Sequence, residues 1–172
     1  DQLTPINLED LLGRDTVKPK KELLEKNVRE KNVMITGAGG SIGGQLASEI
    51  IKLGPKKIIL YDISEYALYK IEKLILSYDN NVSEYLPEIK TVLGSVQNTK
   101  RLKNTINQYD VHTIYHAAAY KHVPLLEANI IEAVRNNIFG TKIIAEIAIQ
   151  NKVESFNLIS TDKAVRPTNI MG

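Results

Sequence analysis

From Asn32 onwards, short apolar runs alternate with longer amphipathic stretches, and this alternation constrains the fold more than any other feature. Each run has the length of a buried strand, and the stretches between carry apolar residues at helical spacing. Strands separated by helices of this length form right-handed βαβ units around a parallel sheet. We therefore predict a doubly wound α/β domain over residues 31–172 with strand order 3-2-1-4-5, preceded by a polar linker with short helices over residues 1–30. The predicted strands are residues 33–36, 57–61, 89–93, 112–116 and 155–159.

The predicted helices are identified by stripes of apolar residues. In the linker, residues 7–13 and residues 20–30 are helix candidates, and a long helix is predicted from about residue 127 to residue 150. The inward residues of the other helices are predicted to be Ile42, Leu46 and Ile50, then Leu68, Ile71, Leu74, Ile75 and Tyr78, and finally Leu102, Ile106 and Tyr109.

Composition excludes several classes of protein. The chain has 172 residues, 43% of them hydrophobic, which is enough for the core of one domain. It has no cysteine, which excludes disulfides and thiolate metal sites. Its 22 basic and 20 acidic residues are scattered, unlike the basic footprint of a nucleic-acid binder. No apolar run approaches the ~20 residues of a membrane span. We expect a cytoplasmic domain that contacts neither nucleic acid nor, by itself, a membrane.

A glycine-rich turn lies between the first predicted strand and the first long helix, over residues 36–44. Gly37 permits a tight turn, Gly40 lets the backbone approach a pyrophosphate, and Gly43 lets the helix pack closely on the sheet. Ser41 and Ile42 open the helix, whose free N–H groups attract phosphate. An ordinary glycine-rich loop is the alternative, and a Walker loop is disfavoured because no Gly-Lys-Ser/Thr follows. The context favours a Rossmann dinucleotide site.

Asp62 ends the second predicted strand, 25 residues after Gly37. A carboxylate at this place accepts hydrogen bonds from both ribose hydroxyls of the adenosine and repels a 2′-phosphate. The alternative is a residue that caps the following helix, and both roles can coexist. We therefore expect NAD rather than NADP.

The spacing Thr-Gly-x-x-Gly-x-x-Gly and three later segments carry a resemblance to a known family. The segments are residues 116–124, residues 136–141 and residues 160–172. Together they resemble the extended short-chain dehydrogenase/reductase superfamily, and within it the polysaccharide-biosynthesis branch of nucleotide-sugar 4,6-dehydratases. These enzymes act on UDP-N-acetylglucosamine. Residues 9–14 are similar to the segment preceding the catalytic domain in long, membrane-anchored members.

The resemblance implies an NAD-dependent dehydration that gives a 4-keto-6-deoxy sugar nucleotide for bacterial glycans. Asp162 is then the acid for the leaving 6-hydroxyl, Lys163 the base for carbon 5, and Thr161 orients the substrate. An aspartate serves as an acid only if its pKa is raised, and a lysine serves as a base only if its pKa is lowered. The resemblance also implies a homo-oligomer anchored at the cytoplasmic face of the bacterial inner membrane.

Two residues depart from the superfamily pattern. Met171 occupies the place of the catalytic tyrosine, and a thioether is no base, so we expect Asp162, Thr161 or a water to accept the 4-hydroxyl proton. Ser95 stands where many relatives place an aspartate against the adenine. We also expect the chain to end before the substrate-binding part of a longer protein. Alone it would hold a dinucleotide weakly and not turn over.

Further residues are assigned by the same resemblance. His116 is expected to be structural, Tyr120 to pack on the cofactor, and no metal site is expected, because two histidines six residues apart are a poor ligand set. A nucleotide-sugar 4-epimerase and a non-catalytic dinucleotide-binding module remain alternatives. Cofactor contacts are predicted for Ser95, Val96, Ala117, Ala118, Ala119, Asn137 and Ser160, and substrate contacts for Lys121 and His122.

Overall fold

The computed structural model describes residues 20–77 and 87–172. Its centre is a five-stranded parallel sheet in the order β3-β2-β1-β4-β5, which confirms the predicted fold class and strand order. Each predicted strand agrees with the observed one to within one residue at either end. The strands are β1 (Asn32–Thr36), β2 (Lys57–Asp62), β3 (Glu88–Leu93), β4 (Thr113–His116) and β5 (Ser155–Leu158).

Helices cover both faces of the sheet. The candidate helix over residues 20–30 is helical only in its first part, and the candidate over residues 7–13 lies outside the described residues. The predicted long helix begins earlier than expected and is interrupted at Asn129. The helices are α1 (Lys21–Glu25), α2 (Ser41–Ile51), α3 (Glu65–Ser77), α4 (Thr99–Gln108), α5 (Val123–Ala128), α6 (Ile130–Ala133) and α7 (Thr141–Gln150), with a π-helical segment (Val134–Gly140) between α6 and α7 and a 3-10 turn (Asp162–Ala164) after β5.

The central strand β1 is buried along its whole length, and its side chains alternate between two cores. Met34 packs with residues of α4 and α7, such as Leu102 and Ile144, on one face. Val33 and Ile35 pack on the opposite face with residues of α2 and α3. Val28, from the predicted linker, is fully buried in this second core. The sheet is therefore covered on both sides, as a parallel sheet requires.

Several predicted inward residues are exposed instead. Ile42 is 52% and Leu74 45% exposed, while Ala47 and Ile50 are buried. Ile42 lies in the first turn of α2, at the carboxyl edge of the sheet, so it is not over the sheet. The prediction for Tyr78 falls outside the described residues.

Across residues 20–77 and 87–172, no helix combines the length and the apolar character that a membrane span requires.

Candidate active site

Two cavities lie at the carboxyl edge of the sheet, the edge at which open parallel sheets bind ligands. The glycine-turn cavity, about 300 Å³, is bordered by Gly37, Gly40, Asp62 and the residues after β3. The Lys163 cavity, about 450 Å³, is bordered by Lys163, Thr161 and the end of β4. Ala117, Ala118 and Ala119 line both cavities, so the two share a wall. The two cavities are therefore adjacent at this edge.

The glycine turn has the backbone that its sequence predicts. Gly37 has a φ of +67°, and a Cβ there would lie 2.7 Å from the Ala117 carbonyl oxygen. A Cβ at Gly43 would overlap the Gly37 carbonyl, so helix α2 starts in direct contact with the turn. Gly40 lines the cavity at the start of α2, where the first helical N–H groups are free to bind an anion. This geometry fits a pyrophosphate.

Asp62 closes one side of the turn. One carboxylate oxygen accepts the Gly39 N–H and the other accepts the Ser64 N–H, both at 2.9 Å. Ser64, rather than Asp62, accepts the Ala67 N–H at the start of α3. Each carboxylate oxygen keeps a further lone pair. The carboxylate therefore both fixes the turn and can accept ribose hydroxyls.

The residues after β3 complete the glycine-turn cavity. Ser95 and Val96 line it, together with Tyr61 of β2. Sequence reasoning missed Tyr61, a fully buried residue whose hydroxyl donates to the Ser95 carbonyl oxygen at 2.9 Å. Burial raises the pKa of Tyr61 to about 12. The sequence signal for this role was a tyrosine within an otherwise apolar predicted strand.

His116 bridges the sheet and the helix above it. Its Nδ1 is 2.6 Å from Thr36 Oγ1 and its Nε2 is 2.9 Å from Thr141 Oγ1. Burial lowers the pKa of His116 to about 4, so the imidazole is neutral near pH 7. A neutral imidazole has one donor and one acceptor, and a hydroxyl complements either. This arrangement agrees with the structural role expected for His116.

Asn137 holds the loop that follows β4. Its Oδ1 accepts the Tyr120 N–H and its Nδ2 donates to the Tyr120 carbonyl, both at 2.9 Å. Asn136, which sequence reasoning missed, donates to Asn137 Oδ1 at 3.0 Å. In a regular α-helix, the side chains of consecutive residues point about 100° apart. Asn136 and Asn137 lie instead in the π-helical segment. Such segments are frequent at functional sites. Asn137 also lines the Lys163 cavity, and Tyr120 lines the glycine-turn cavity.

The segment after β5 brings several predicted catalytic residues to one cavity. Thr161, Lys163 and Met171 line the Lys163 cavity, as do Ser160 and Ile42. Asp162 does not line it: its side chain is 91% exposed. The Thr161 hydroxyl donates to Asp162 Oδ1 at 3.0 Å, and Lys163 Nζ lies 3.4 Å from the same oxygen.

The environment of Asp162 favours its charged form. The Thr161 hydroxyl and then the positive charge of Lys163 lower the pKa of Asp162. A general acid needs the opposite shift. In the arrangement observed, Asp162 is a carboxylate.

The remaining predicted residues have separate positions. Lys121 lines the Lys163 cavity and also an adjoining cavity of about 400 Å³, which His122 shares. Ser41 is exposed at the start of α2. Within residues 20–77 and 87–172, no group of three or more His, Asp or Glu side chains is placed to hold a metal ion.

Comparison with known proteins identifies the family. The family model described as "Polysaccharide biosynthesis protein" matches residues 33–172. The chain belongs to this family. The capsular polysaccharide biosynthesis protein CapD of Staphylococcus aureus is 44% identical over the whole chain, which spans 28% of that protein. A UDP-glucose 4-epimerase of Rickettsia rickettsii is 36% identical over 83% of the chain, which spans 40% of that protein. The chain thus covers less than half of these relatives.

Solved structures share the fold of this chain. The structure of Pen from Bacillus thuringiensis has a TM-score of 0.74 and 30% identity, and the match covers 84% of this chain and 41% of Pen. A UDP-glucose 4-epimerase of Bifidobacterium longum, solved with NAD+ and UDP, has a TM-score of 0.64 and 20% identity over 77% of this chain and 37% of that one. The second likeness supports the fold alone.

Proposed function

We propose that the whole protein containing this chain is an NAD-dependent dehydratase of the short-chain dehydrogenase/reductase superfamily. Its substrate is UDP-N-acetylglucosamine and its product a 4-keto-6-deoxy sugar nucleotide for bacterial polysaccharide or glycoprotein sugars. One observation carries the proposal: the cavity with the glycine turn and Asp62 shares the Ala117–Ala119 wall with the cavity that contains Thr161 and Lys163. The adjacency of the two cavities supports a dinucleotide in the first that extends towards the side chains in the second.

The first cavity fits the adenosine half and the pyrophosphate of NAD. The N–H groups at the start of α2 bind the pyrophosphate, and Gly40 leaves the space that its approach requires. The Asp62 carboxylate accepts the ribose hydroxyls and repels a 2′-phosphate, which favours NAD over NADP. When bound, NAD would supply the acceptor for the hydride from carbon 4 of the sugar and would return that hydride to carbon 6.

The residues after β5 carry the proton transfers. The Lys163 amine removes the proton from carbon 5, and the Asp162 carboxyl donates a proton to the departing 6-hydroxyl, so that one water leaves. Thr161 orients the sugar through its hydroxyl. Lys121 and His122 bind the substrate from the adjoining cavity. Because Met171 cannot accept the 4-hydroxyl proton, Thr161, Asp162 or a water does so.

Asp162 must gain a proton before it can act as the acid. The bond from the Thr161 hydroxyl is the largest cause of its lowered pKa. When Thr161 turns its hydroxyl to the sugar, Asp162 loses that bond, and its pKa rises. Substrate binding is thus coupled to the protonation that the reaction needs.

A 4-epimerase is the second candidate, favoured by the Rickettsia rickettsii relative. It also oxidises carbon 4, but an epimerase of this superfamily ordinarily uses the active-site tyrosine as its base, and Met171 stands at that position. The third candidate is a module that binds the dinucleotide without catalysis. Membrane anchoring and a homo-oligomeric state, which the resemblance implies for the whole protein, stay predictions.

Product analysis separates the three candidates. The whole protein is incubated with NAD and UDP-N-acetylglucosamine, and the sugar nucleotide is examined by mass spectrometry and NMR. Dehydration removes one water, whereas epimerisation leaves the mass unchanged and inverts carbon 4. A binding module gives neither product. Lys163→Gln should abolish dehydration while NAD still binds, and Lys142→Gln, at an exposed position on α7, is the matched control.

A further inference from the structure

The order of the strands predicts the order of ligand groups along the glycine-turn cavity. The glycine turn follows β1, Asp62 ends β2 and Gly94–Val96 follow β3, and these strands are neighbours in the sheet. Adjacent strands lie about 4.8 Å apart. A pyrophosphate at the turn and a ribose at Asp62 therefore place the base against Ser95 and Val96. This step rests on the dinucleotide binding proposed above.

Among the described residues, no charged side chain lines the base end of the cavity, although the Arg101 side chain lies against Gly94 and donates to the Leu93 carbonyl oxygen at 3.3 Å. Asp62 is the one charged residue that lines the glycine-turn cavity, and its carboxylate is held at the turn by Gly39 and Ser64. Ser95 and Asn136 are neutral polar residues that line the cavity. The Tyr61 hydroxyl is already donated to the Ser95 carbonyl oxygen, and the Asn136 amide donates to Asn137 Oδ1 at 3.0 Å. We therefore assign recognition of the base to the neutral hydroxyl of Ser95, which follows β3 directly.

Ser95 is held firmly in place. Its Oγ accepts the Gln97 N–H at 3.1 Å. Its carbonyl oxygen accepts both the Tyr61 hydroxyl at 2.9 Å and the Asn98 N–H at 3.0 Å. A Cβ on the preceding Gly94 would overlap the Tyr61 hydroxyl, so the strand end and the buried tyrosine are in close contact. The hydroxyl is therefore presented by a preorganised loop.

A serine hydroxyl can either donate or accept. With one lone pair of Ser95 Oγ taken by Gln97, the hydroxyl proton and a second lone pair remain. The 6-position of adenine has an amino group, which donates, and that of hypoxanthine has a carbonyl, which accepts. A hydroxyl complements both, whereas a carboxylate only accepts and would repel the carbonyl.

We propose that Ser95 is a specificity-determining residue that makes the cofactor site tolerant of the group at position 6 of the purine. The protein therefore binds nicotinamide hypoxanthine dinucleotide nearly as well as NAD. A carboxylate at residue 95 would favour adenine, whose 6-amino group donates to it, over hypoxanthine, whose 6-carbonyl it repels.

Titration calorimetry of the whole protein with each dinucleotide tests this proposal. We expect the two Kd values of the unaltered protein to agree within about fivefold, and Ser95→Asp to prefer NAD by ~20-fold or more through weaker binding of the hypoxanthine form. The control Asn98→Asp adds the same charge three residues away, outside the cavity lining, and keeps the acceptor that caps α4. The ratio of its two Kd values should match that of the unaltered protein.

The outcomes distinguish this proposal from the proposed function. If NAD binds and the unaltered protein binds the hypoxanthine form more than about fivefold more weakly, the specificity proposal fails and the proposed function stands. It also fails if Ser95→Asp folds, binds NAD and leaves the ratio unchanged. If the unaltered protein binds neither dinucleotide, the proposed function fails and this proposal with it. The ratio of the two Kd values of the unaltered protein tests the proposal even if the Ser95→Asp variant does not fold.

Discussion

The side-chain amide of Asn137 pairs with both main-chain polar groups of Tyr120, in the manner of a neighbouring strand. This pair joins the π-helical segment to the loop after β4, and that loop carries Lys121 and His122. The position of these candidate substrate residues therefore depends on a residue that lies seventeen positions from Tyr120.

Asn137→Asp should loosen this loop. The substitution places an acceptor opposite the Tyr120 carbonyl, so one hydrogen bond is lost and a repulsion is added. We expect the free energy of unfolding to fall by about 1–3 kcal/mol and the Tyr120 amide to exchange faster with solvent. Urea unfolding and hydrogen exchange measure the two effects. Asn104→Asp, on the exposed side of α4, should change neither, and unchanged exchange at Tyr120 in Asn137→Asp would contradict the pairing.

Gly37→Ala should cost more stability than Gly54→Ala. Both glycines have positive φ, +67° and +71°, so alanine pays the same left-handed strain of ~1–2 kcal/mol at each. A Cβ at Gly54 meets nothing within 4 Å, while one at Gly37 lies 2.7 Å from the Ala117 carbonyl oxygen. We expect a further ~1–3 kcal/mol at Gly37 in urea unfolding. Equal losses of stability would show that the turn does not closely contact the chain after β4.

His116 should make stability depend on pH below 6.5. Its pKa is about 4 in the folded chain and near 6.5 when unfolded, so between these values the unfolded state binds more protons. Stability is fully present above pH 6.5 and is lost as the pH falls towards 4, by about 3 kcal/mol for this group. Urea unfolding at a series of pH values measures it. His116→Gln should remove this part of the dependence, while the exposed His122→Gln should retain it.

Thr161→Val should raise the pKa of Asp162. The Thr161 hydroxyl is the largest cause of the lowered pKa, and valine has a similar shape without the hydroxyl. Carbon-detected NMR titration of the carboxyl group measures the shift. Thr168→Val, at an exposed position of the same segment, should leave the titration unchanged. An unchanged pKa in Thr161→Val would leave Lys163 as the dominant influence.

Asp62→Asn should weaken NAD binding and reduce the preference over NADP. The amide group places a donor opposite the N–H of Gly39 or of Ser64 and removes the charge that repels a 2′-phosphate. We expect the Kd for NAD to rise at least about tenfold, and the Kd for NADP to rise less. Calorimetry with both dinucleotides measures the ratio. Glu65→Gln removes an exposed charge nearby and should leave both affinities unchanged.

The sheet could be predicted from the sequence because its signals are local. Strand lengths, helix spacing and the glycine turn each reflect a short stretch of chain, and the strand order is the usual one for a sheet that carries this turn. The exposed position of Ile42 could not be predicted, because it depends on where α2 meets the edge of the sheet. Helical spacing treats the first turn of a helix like its centre.

The site was predicted in outline, and its supporting contacts were not. Thr36 and Thr141 approach His116 from elements that are distant in the sequence, so no spacing connects them. The π-helical segment widens the helix by a backbone hydrogen-bonding pattern that apolar spacing does not encode. Its neighbouring asparagines, 136 and 137, were the available signal.

Residues 117–119 line both cavities, so we expect the residues of the two cavities to evolve together. Because the same three alanines line both cavities, a larger side chain there can change the volume of either one. A substitution in residues 117–119 that accommodates a different sugar would also change the dinucleotide site, unless residues that line the other cavity changed as well. We expect homologues to alter these three positions in concert with their neighbours on both flanks, and never singly.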